Sequence, residues 1–577
     1  MRKNYSSGIY NRTLRGMAAV LTVSGMASVM TAGCGSTVPD QAAVTEKASD
    51  VASEAASRES VSPVSDAEDT KSGEIAIKAS EGNIDISGQN SDSVKVSGST
   101  ITITKAGTYR LSGTLTEGQI LVEAGDKDDV RLILDGFSIS NSETAPIYVK
   151  TSGNFFLLAE EGSENLVDDG REAQADTAAA EEEEIPDAAI YSKSDLYIAG
   201  TGALTVNGGY ADGIHGKDLL MVSEEITLNI TAAEHGINGK DSLEIQAGTF
   251  HITSGEDGLH SKGDVIISDG TLDISASDDG IHADAALIIN GGNVKVSESY
   301  EGLEGLSVTV NGGEVSVKAS DDGVNSAGGS DTGDDIFAVT DGAVITINGG
   351  TVYVEASGDG IDSNGSIVIT GGDIYVDGPE MDGNASLDYN GNASITGGSF
   401  ALTGSSGMFQ SFSEDSTQPQ IIVYYSEKQA AGTEITVTDS AGNVIYDNAD
   451  STKAFTAFLL SSAELKDGET YTVKNGDQEA TVTIDGLTGT TGERSSGMMG
   501  GPMGGGRGQG GPGGQGRPGG QGNPDQNDPD MQGDPRSMRE PGVRETKAGS
   551  DVQSDSGDEG ASGKGVSDRS RLKGTEG

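Results

Sequence analysis

Between residues 188 and 412, apolar side chains fall on every second position in short runs, and the runs recur at a nearly fixed interval. Val294/Val296, Val315/Val317, Val352/Val354 and Ile374/Val376 each alternate with polar neighbours. A period of two is the strand period, with the apolar set on one face and the polar set in water. Each run follows a turn: Asn290-Gly291-Gly292, Asn311-Gly312-Gly313, Asn348-Gly349-Gly350 and Thr370-Gly371-Gly372. A second phrase keeps step with the first. It reads Asp212-Gly213-Ile214-His215, His235-Gly236-Ile237-Asn238, Asp257-Gly258-Leu259-His260 and Asp279-Gly280-Ile281-His282. It continues as Glu301-Gly302-Leu303-Glu304, Asp322-Gly323-Val324-Asn325 and Asp359-Gly360-Ile361-Asp362. Its glycines, 213, 236, 258, 280, 302, 323 and 360, lie 23, 22, 22, 22, 21 and 37 residues apart. Weaker copies follow at Asp382-Gly383 and Ser406-Gly407. The long step holds an insertion at about 326–341.

A repeat of about 22 residues with three short strands predicts an all-β solenoid, a parallel β-helix whose rungs bury their apolar faces only by stacking. A propeller blade needs about twice that length, and the Leu framework of a leucine-rich repeat is absent. The glycine of the repeated phrase is expected to supply a left-handed turn, and the Ile, Leu or Val after it to point inward.

The same texture begins near Gly73, with strands expected at Glu74–Lys78, Ser93–Val96, Thr100–Thr104, Tyr109–Ser112, Gln119–Val122 and Val130–Leu134. The β-helix therefore spans 73–418, interrupted by an acidic insertion at 168–187. In 419–488 the period breaks. Strands at Gln420–Tyr425, Glu434–Thr438, Thr470–Lys474 and Ala480–Ile484 predict a small β-sandwich or a cap over the open last rung. Residues 489–577, rich in Gly, Pro, Gln and Met, read as a disordered tail, and 34–72 as a disordered tether.

The amino-terminal end carries an address. Arg2, Lys3, Arg12 and Arg15 precede the apolar stretch 17–32, and Ala32-Gly33 stands directly before Cys34. Segment 1–33 has the layout of an export signal, and its end resembles a bacterial lipobox. Cys34, the single cysteine, is then the lipidated residue, anchoring an exported protein to the bacterial cell membrane on its extracellular side. One cysteine also excludes an intrachain disulfide.

Composition narrows the partners. The 577 residues include 91 acidic and 36 basic ones, a formal net charge of -55. Such a field repels nucleic acid. Only 34% of residues are hydrophobic, 4% are aromatic and 87 are Gly, which suits a thin, stacked core rather than a thick one.

The repeated phrase also sets up columns. The position before each Gly holds Asp212, His235, Asp257, Asp279, Glu301, Asp322 and Asp359; one residue earlier stand Glu256, Asp278 and Asp321. Two residues after Gly come His215, Asn238, His260, His282, Glu304, Asn325 and Asp362. Carboxylates on rungs about 4.8 Å apart repel by about 3.5 kcal/mol at an effective dielectric of about 20. Solvation, raised pKa values or a bound cation would relieve this, and clustered carboxylates with Asn favour Ca²⁺. Glu256, Asp257, Asp278, Asp279, Glu301, Asp321, Asp322 and Asp359 are the calcium candidates. An Asp-Gly turn repeated for its own sake accounts for one acid per rung but less well for the pairs. Zinc on His260 and His282 lacks cysteine support and a defined spacing.

At these residues the sequence resembles a family of secreted carbohydrate-binding proteins with a right-handed parallel β-helix, pectate-lyase-like in shape. The likeness covers about 73–412. It includes ITITKAGTYRLSGTLTEGQILVEA (101–124), VRLILDGFSISNSETAPIYVK (130–150) and the DDGIH and NGG turns. The resemblance implies calcium binding at the acids before the repeated glycines. It also implies binding of acidic, pectin-type polysaccharide or cellulose. His260, His282, Glu304, Asn325, Lys240 and Lys262 are the candidate sugar contacts.

Catalysis has less support. Polyuronate lyases use a base, typically Arg or Lys, near calcium, and residues 188–412 contain no Arg. Lys217, Lys240 and Lys262 form a ladder four residues after their glycines, expected to balance charge. Paired carboxylates for hydrolysis need one distinctive pair, which a periodic ladder does not single out. Calcium-dependent binding without catalysis is therefore the leading expectation. A calcium-dependent polysaccharide lyase and a passive surface stalk or adhesin are the alternatives.

Overall fold

The computed structural model describes residues 73–80, 82–173, 185–327, 338–448 and 451–494. The export signal 1–33, Cys34, the tether 34–72, the tail after 494 and most of both insertions lie outside the described residues. The described chain is all-β, with a single 3-10 turn at Ser91–Ser93. Its helical content includes nothing long and apolar enough to cross a membrane.

Strands stack into a parallel β-helix of about 12 turns with three faces. Face one carries the repeated phrase. It runs through Thr100–Ile103, Gln119–Glu123, Ile147–Thr151, Ala188–Ser192, Asp212–Gly216, Ile237–Gly239 and Leu259–Ser261, and onward to Leu387–Tyr389. Face two follows each of these after a short corner, as in Leu219–Val222, Ser242–Ile245 and Asp264–Ile267. Face three holds the alternating runs, as in Thr227–Ala232, Thr249–Ser254, Thr271–Ala276 and Asn293–Glu298. In this register identical positions fall on top of one another. Ile214, Ile237, Leu259, Ile281, Leu303, Val324, Ile361 and Leu387 make one buried apolar ladder. Val294/Val296, Val315/Val317, Val352/Val354 and Ile374/Val376 are buried as the alternation predicts.

The two kinds of glycine have different jobs. Left-handed backbone belongs to the second Gly of the Asn-Gly-Gly turns, with φ +85° at Gly292 and +87° at Gly313. The glycines of the repeated phrase do not share it, contrary to the sequence expectation. They are required by close packing instead. A Cβ on Gly258 would sit 2.3 Å from Cγ2 of Ile274 and 2.6 Å from the carbonyl oxygen of Gly280, one rung on. The Asn-Gly-Gly corner is tied by a side-chain ladder: Asn311 donates to Asn290 and Asn348 donates to Asn311, each at 2.8 Å.

Boundaries differ in three places. Asp168 and Asp169 belong to the strand Glu164–Asp169 and pair with Asn207 and Gly208, so the acidic insertion starts after them. The strand Thr488–Thr491 pairs with Gln420–Gln429, so ordered structure passes the expected end at 488. Asp382-Gly383 does not continue the phrase. The register sets Leu387 on Ile361 and Asp388 on Asp362, and Ser386 takes the glycine's place.

After face three's last strand, Ser399–Gly404, the chain reverses. Phe455–Ser462 pairs with it antiparallel. Gln420–Gln429 extends that sheet, and a four-stranded antiparallel sheet of Ile435–Thr438, Val444–Asn448, Thr470–Asn475 and Gln478–Thr483 lies beyond. Val423, Val437, Phe458, Leu460, Tyr471 and Val473 form its core.

Candidate metal and carbohydrate site

Each repeated phrase turns the corner from face three into face one. The acid before Gly folds back over the backbone of the next rung. Asp212 Oδ1 accepts from the His235 N–H at 3.1 Å, and Asp257 Oδ1 accepts from the Asp279 N–H at 3.0 Å. Asp322 and Asp359 do the same for the N–H groups of Asp359 and Ala385. One carboxylate oxygen is thus used as a rung-to-rung tie. The other points along the outer row of face one, toward the side chain two after Gly.

That outer row changes character along the solenoid. It reads Tyr148, Tyr191, His215, Asn238, His260, His282, Glu304, Asn325, Asp362, Asp388. In the first half, imidazoles answer the carboxylates. His215 Nδ1 lies 2.8 Å from Asp187 and 3.2 Å from Asp212, His260 Nδ1 2.8 Å from Asp257, and His282 Nδ1 2.8 Å from Asp279 and 2.7 Å from Glu304. Burial works against charge on the His215 and His282 rings, yet the carboxylates push His215 up to about 9 and His282 up to about 11. Burial also opposes ionisation of Asp257, but bonds from His235 and His260 hold it well below the usual carboxylate range.

In the second half, no imidazole answers. Burial raises Glu301, Asp322, Asp359 and Asp362, and neighbouring acids add to it. Glu301 is pushed up to about 8, Asp322 to about 6, Asp359 to about 7 and Asp362 to about 8. At the junction, burial pushes Asp279 up to about 7 while Glu304 stays ionised against His282. Two all-oxygen groups result: Asp279, Glu301 and Glu304, and Asp322, Asp359 and Asp362, each with ligand atoms within 4.8 Å of one another.

Of the eight calcium candidates, Asp257, Asp279, Glu301, Asp322 and Asp359 converge on this corner, together with His260, His282 and Glu304. Asn325 joins the row, its Nδ2 donating to Glu301 at 2.8 Å. Glu256, Asp278 and Asp321 do not enter the clusters. Neighbours in an extended chain point to opposite sides, and Glu256, half exposed, reaches His235 Nε2 at 3.4 Å instead. Lys240 and Lys262 are exposed on the far corner of face one, where their backbones pair. Among the described residues they make no ion pair with the acids, so they do not balance the column. Asp187, Asp212, His215, His235, Asp362 and Asp388 were missed as site residues. The phrase itself marks four of them; Asp187 and Asp388 become visible only through strand register.

Residues 97–344 match the family model described as "Carbohydrate-binding domain-containing protein". This segment, under half of the chain, is similar to that family. A relative from Acetivibrio thermocellus, also named "Carbohydrate-binding domain-containing protein", is 35% identical over 157 residues, covering 27% of this chain. The match spans about half, 54%, of that relative's own length. A solved structure, a polysaccharide lyase-like protein from C. thermocellum in a gadolinium derivative, has 31% sequence identity. It covers 42% of this chain and 92% of its own, with a TM-score of 0.35. The matched residues thus include the histidine half and the first all-oxygen group; Asp359, Asp362 and Asp388 lie beyond them.

Proposed function

We propose that this protein holds polysaccharide at the cell surface through calcium ions on the acidic half of face one, without cleaving it. The observation that carries the calcium reading is Asn325 Oδ1, a buried acceptor with no hydrogen-bond partner, in the row beside Asp362. A neutral amide oxygen and the converging carboxylates of Asp322, Asp359 and Asp362 are the donor set of a hard cation. No Lys or Arg ion pair reaches those three carboxylates among the described residues. Asp322, Asp359 and Asp362 would hold one ion, and Asp279, Glu301 and Glu304 another. When bound, calcium cancels the repulsion and offers vacant positions to sugar oxygens.

The likeness of residues 97–344 to that family supports polysaccharide as the partner. Charge supports an ion-bridged, acidic glycan: residues 188–412 hold 34 acids against six Lys, so a polyuronate meets like charge unless cations intervene, while neutral cellulose does not. The absence of Arg from 188–412 supports binding rather than lyase chemistry. Cys34, lipidated after removal of 1–33, would tether the domain to the bacterial membrane, facing outward.

Affinity electrophoresis in gels containing polygalacturonate or soluble cellulose derivatives tests this reading, with calcium and with chelator. Retardation by polygalacturonate should vanish in chelator and that by cellulose should persist. Calcium-independent retardation by polygalacturonate would refute the ion bridge, and release of unsaturated oligosaccharide would refute binding without cleavage.

A further inference from the structure

The position before the repeated Gly is acidic on every rung from 212 to 359 except one, where it is His235. That exception falls one rung before His260, and the two rings stack at 4.3 Å with an interplanar angle of 14°. Both turn Nδ1 toward a single oxygen. Asp257 Oδ2 lies 2.8 Å from His260 Nδ1 and 3.3 Å from His235 Nδ1. The Asp257 N–H donates to His235 Nδ1 at 3.3 Å, where the neighbouring rung uses a carboxylate oxygen at 3.0 Å. His235 Nδ1 therefore sits between the Asp257 N–H and Asp257 Oδ2, facing into the cluster, and both contacts are long. All three ligand atoms lie within 4.8 Å of one another.

We propose that His235, Asp257 and His260 form a site for a borderline divalent cation of the zinc class, distinct from the all-oxygen groups further along the solenoid. Two imidazoles and one carboxylate suit zinc, nickel or cobalt, whereas calcium takes oxygen. Three protein ligands leave a position open for water or a sugar oxygen. The cation replaces the proton shared by His260 and Asp257, so binding releases a proton and weakens in acid. The rings are mostly buried, with side-chain exposures of 17% and 14%, which leaves the site reachable from the outer face. The proposal stands apart from the calcium reading, because the two sites share no ligand.

The test titrates the full chain with Co²⁺ and Zn²⁺ in excess calcium, by calorimetry and by the visible absorption of Co²⁺. Native protein should bind about one ion tightly, with the intense spectrum of four- or five-coordinate cobalt. His235→Asp restores the acid of the other rungs, and His260→Asn places the residue found at 238 and 325, so both variants preserve the fold. Each should weaken binding at least tenfold. Asp322→Asn with Asp359→Asn, and His251→Asn on face three, should leave it unchanged. Native-like binding in both histidine variants, binding lost in the acid-half variant or in His251→Asn, or an octahedral spectrum would each overturn the proposal.

Discussion

Arg171 doubles back on Asp169, two residues earlier, with Nε 2.8 Å from Oδ1 in a pair almost wholly removed from water. The same guanidinium donates to the carbonyls of Pro186 and Ala188 and lies over the Tyr210 ring. One side chain thus joins the two ends of the acidic insertion where the chain re-enters face one. Removing one partner strands a buried charge, which costs about 3–5 kcal/mol. Arg171→Met should lower stability by that order in chemical denaturation. A loss under about 1 kcal/mol would show that the clamp is dispensable.

Gly258→Ala tests the packing role of the repeated glycine. Its Cβ meets an isoleucine branch and a backbone oxygen on neighbouring rungs, and neither gives way cheaply. Overpacking of this kind costs about 1–3 kcal/mol. Alanine at Gly383, where a Cβ meets nothing within 4 Å, should change the melting temperature little. Equal effects at the two positions would discard the account.

Calcium should stabilise the native state, because only the folded chain gathers the carboxylates. At about 100 times its dissociation constant, the gain is about 2.7 kcal/mol. Asp322→Asn with Asp359→Asn should remove most of the calcium-dependent rise in melting temperature. It should also raise stability in chelator by relieving repulsion. A double variant that keeps the full calcium response would move the site elsewhere.

The pH dependence should change with calcium. Asp322, Asp359 and Asp362 bind protons more tightly in the folded chain than an ordinary aspartate, whose pKa is 3.8. The native state therefore carries extra protons between about pH 4 and 8, and stability in chelator falls as pH rises through that range. His215 and His282, raised to about 9 and about 11 from 6.5, act in the same direction above about pH 6.5, where their unfolded forms lose the proton. Calcium competes with the carboxyl protons, so its stabilising increment should grow from about pH 5 to about pH 8. Melting curves with and without chelator at both pH values decide this; a constant increment would count against carboxylate ligation.

Cys34→Ser should shift the protein from the membrane fraction to the medium. Retention of the variant in membranes, measured by fractionation and immunoblot, would refute the lipid anchor.

Much of the solenoid was readable because its register repeats: Val294/Val296 and its successors alternate, and the Ile or Leu after each phrase glycine is buried. The strand Phe455–Ser462 was not readable. Its run FTAFLLSS is buried on both faces, so it offers no alternation, and its pairing to Ser399–Gly404 is fixed by contacts distant in sequence. In the site, the rows beside Gly were legible. The exclusion of Glu256, Asp278 and Asp321 depends on where the chain turns the corner. The calcium and zinc-class ligand sets depend on which row neighbours are imidazoles, a relation between rungs rather than within one.

The parallel stack is finished by reversed strands at both ends. Ile75–Ser80 and Thr100–Ile103, the first strands of their faces, pair antiparallel with Asn83–Ser87 and Val94–Ser97, and Ser399–Gly404 pairs antiparallel with Phe455–Ser462. A growing column of like strands would otherwise offer each end as a template for another copy. With these strands turned back, length is written in the gene as a number of rungs. Each added or deleted rung near 22 residues would lengthen or shorten the outer row by one residue. A polymer lying along that row would then meet a proportionate number of contacts, so its residence time becomes a quantity that repeat duplication can tune without altering any single rung.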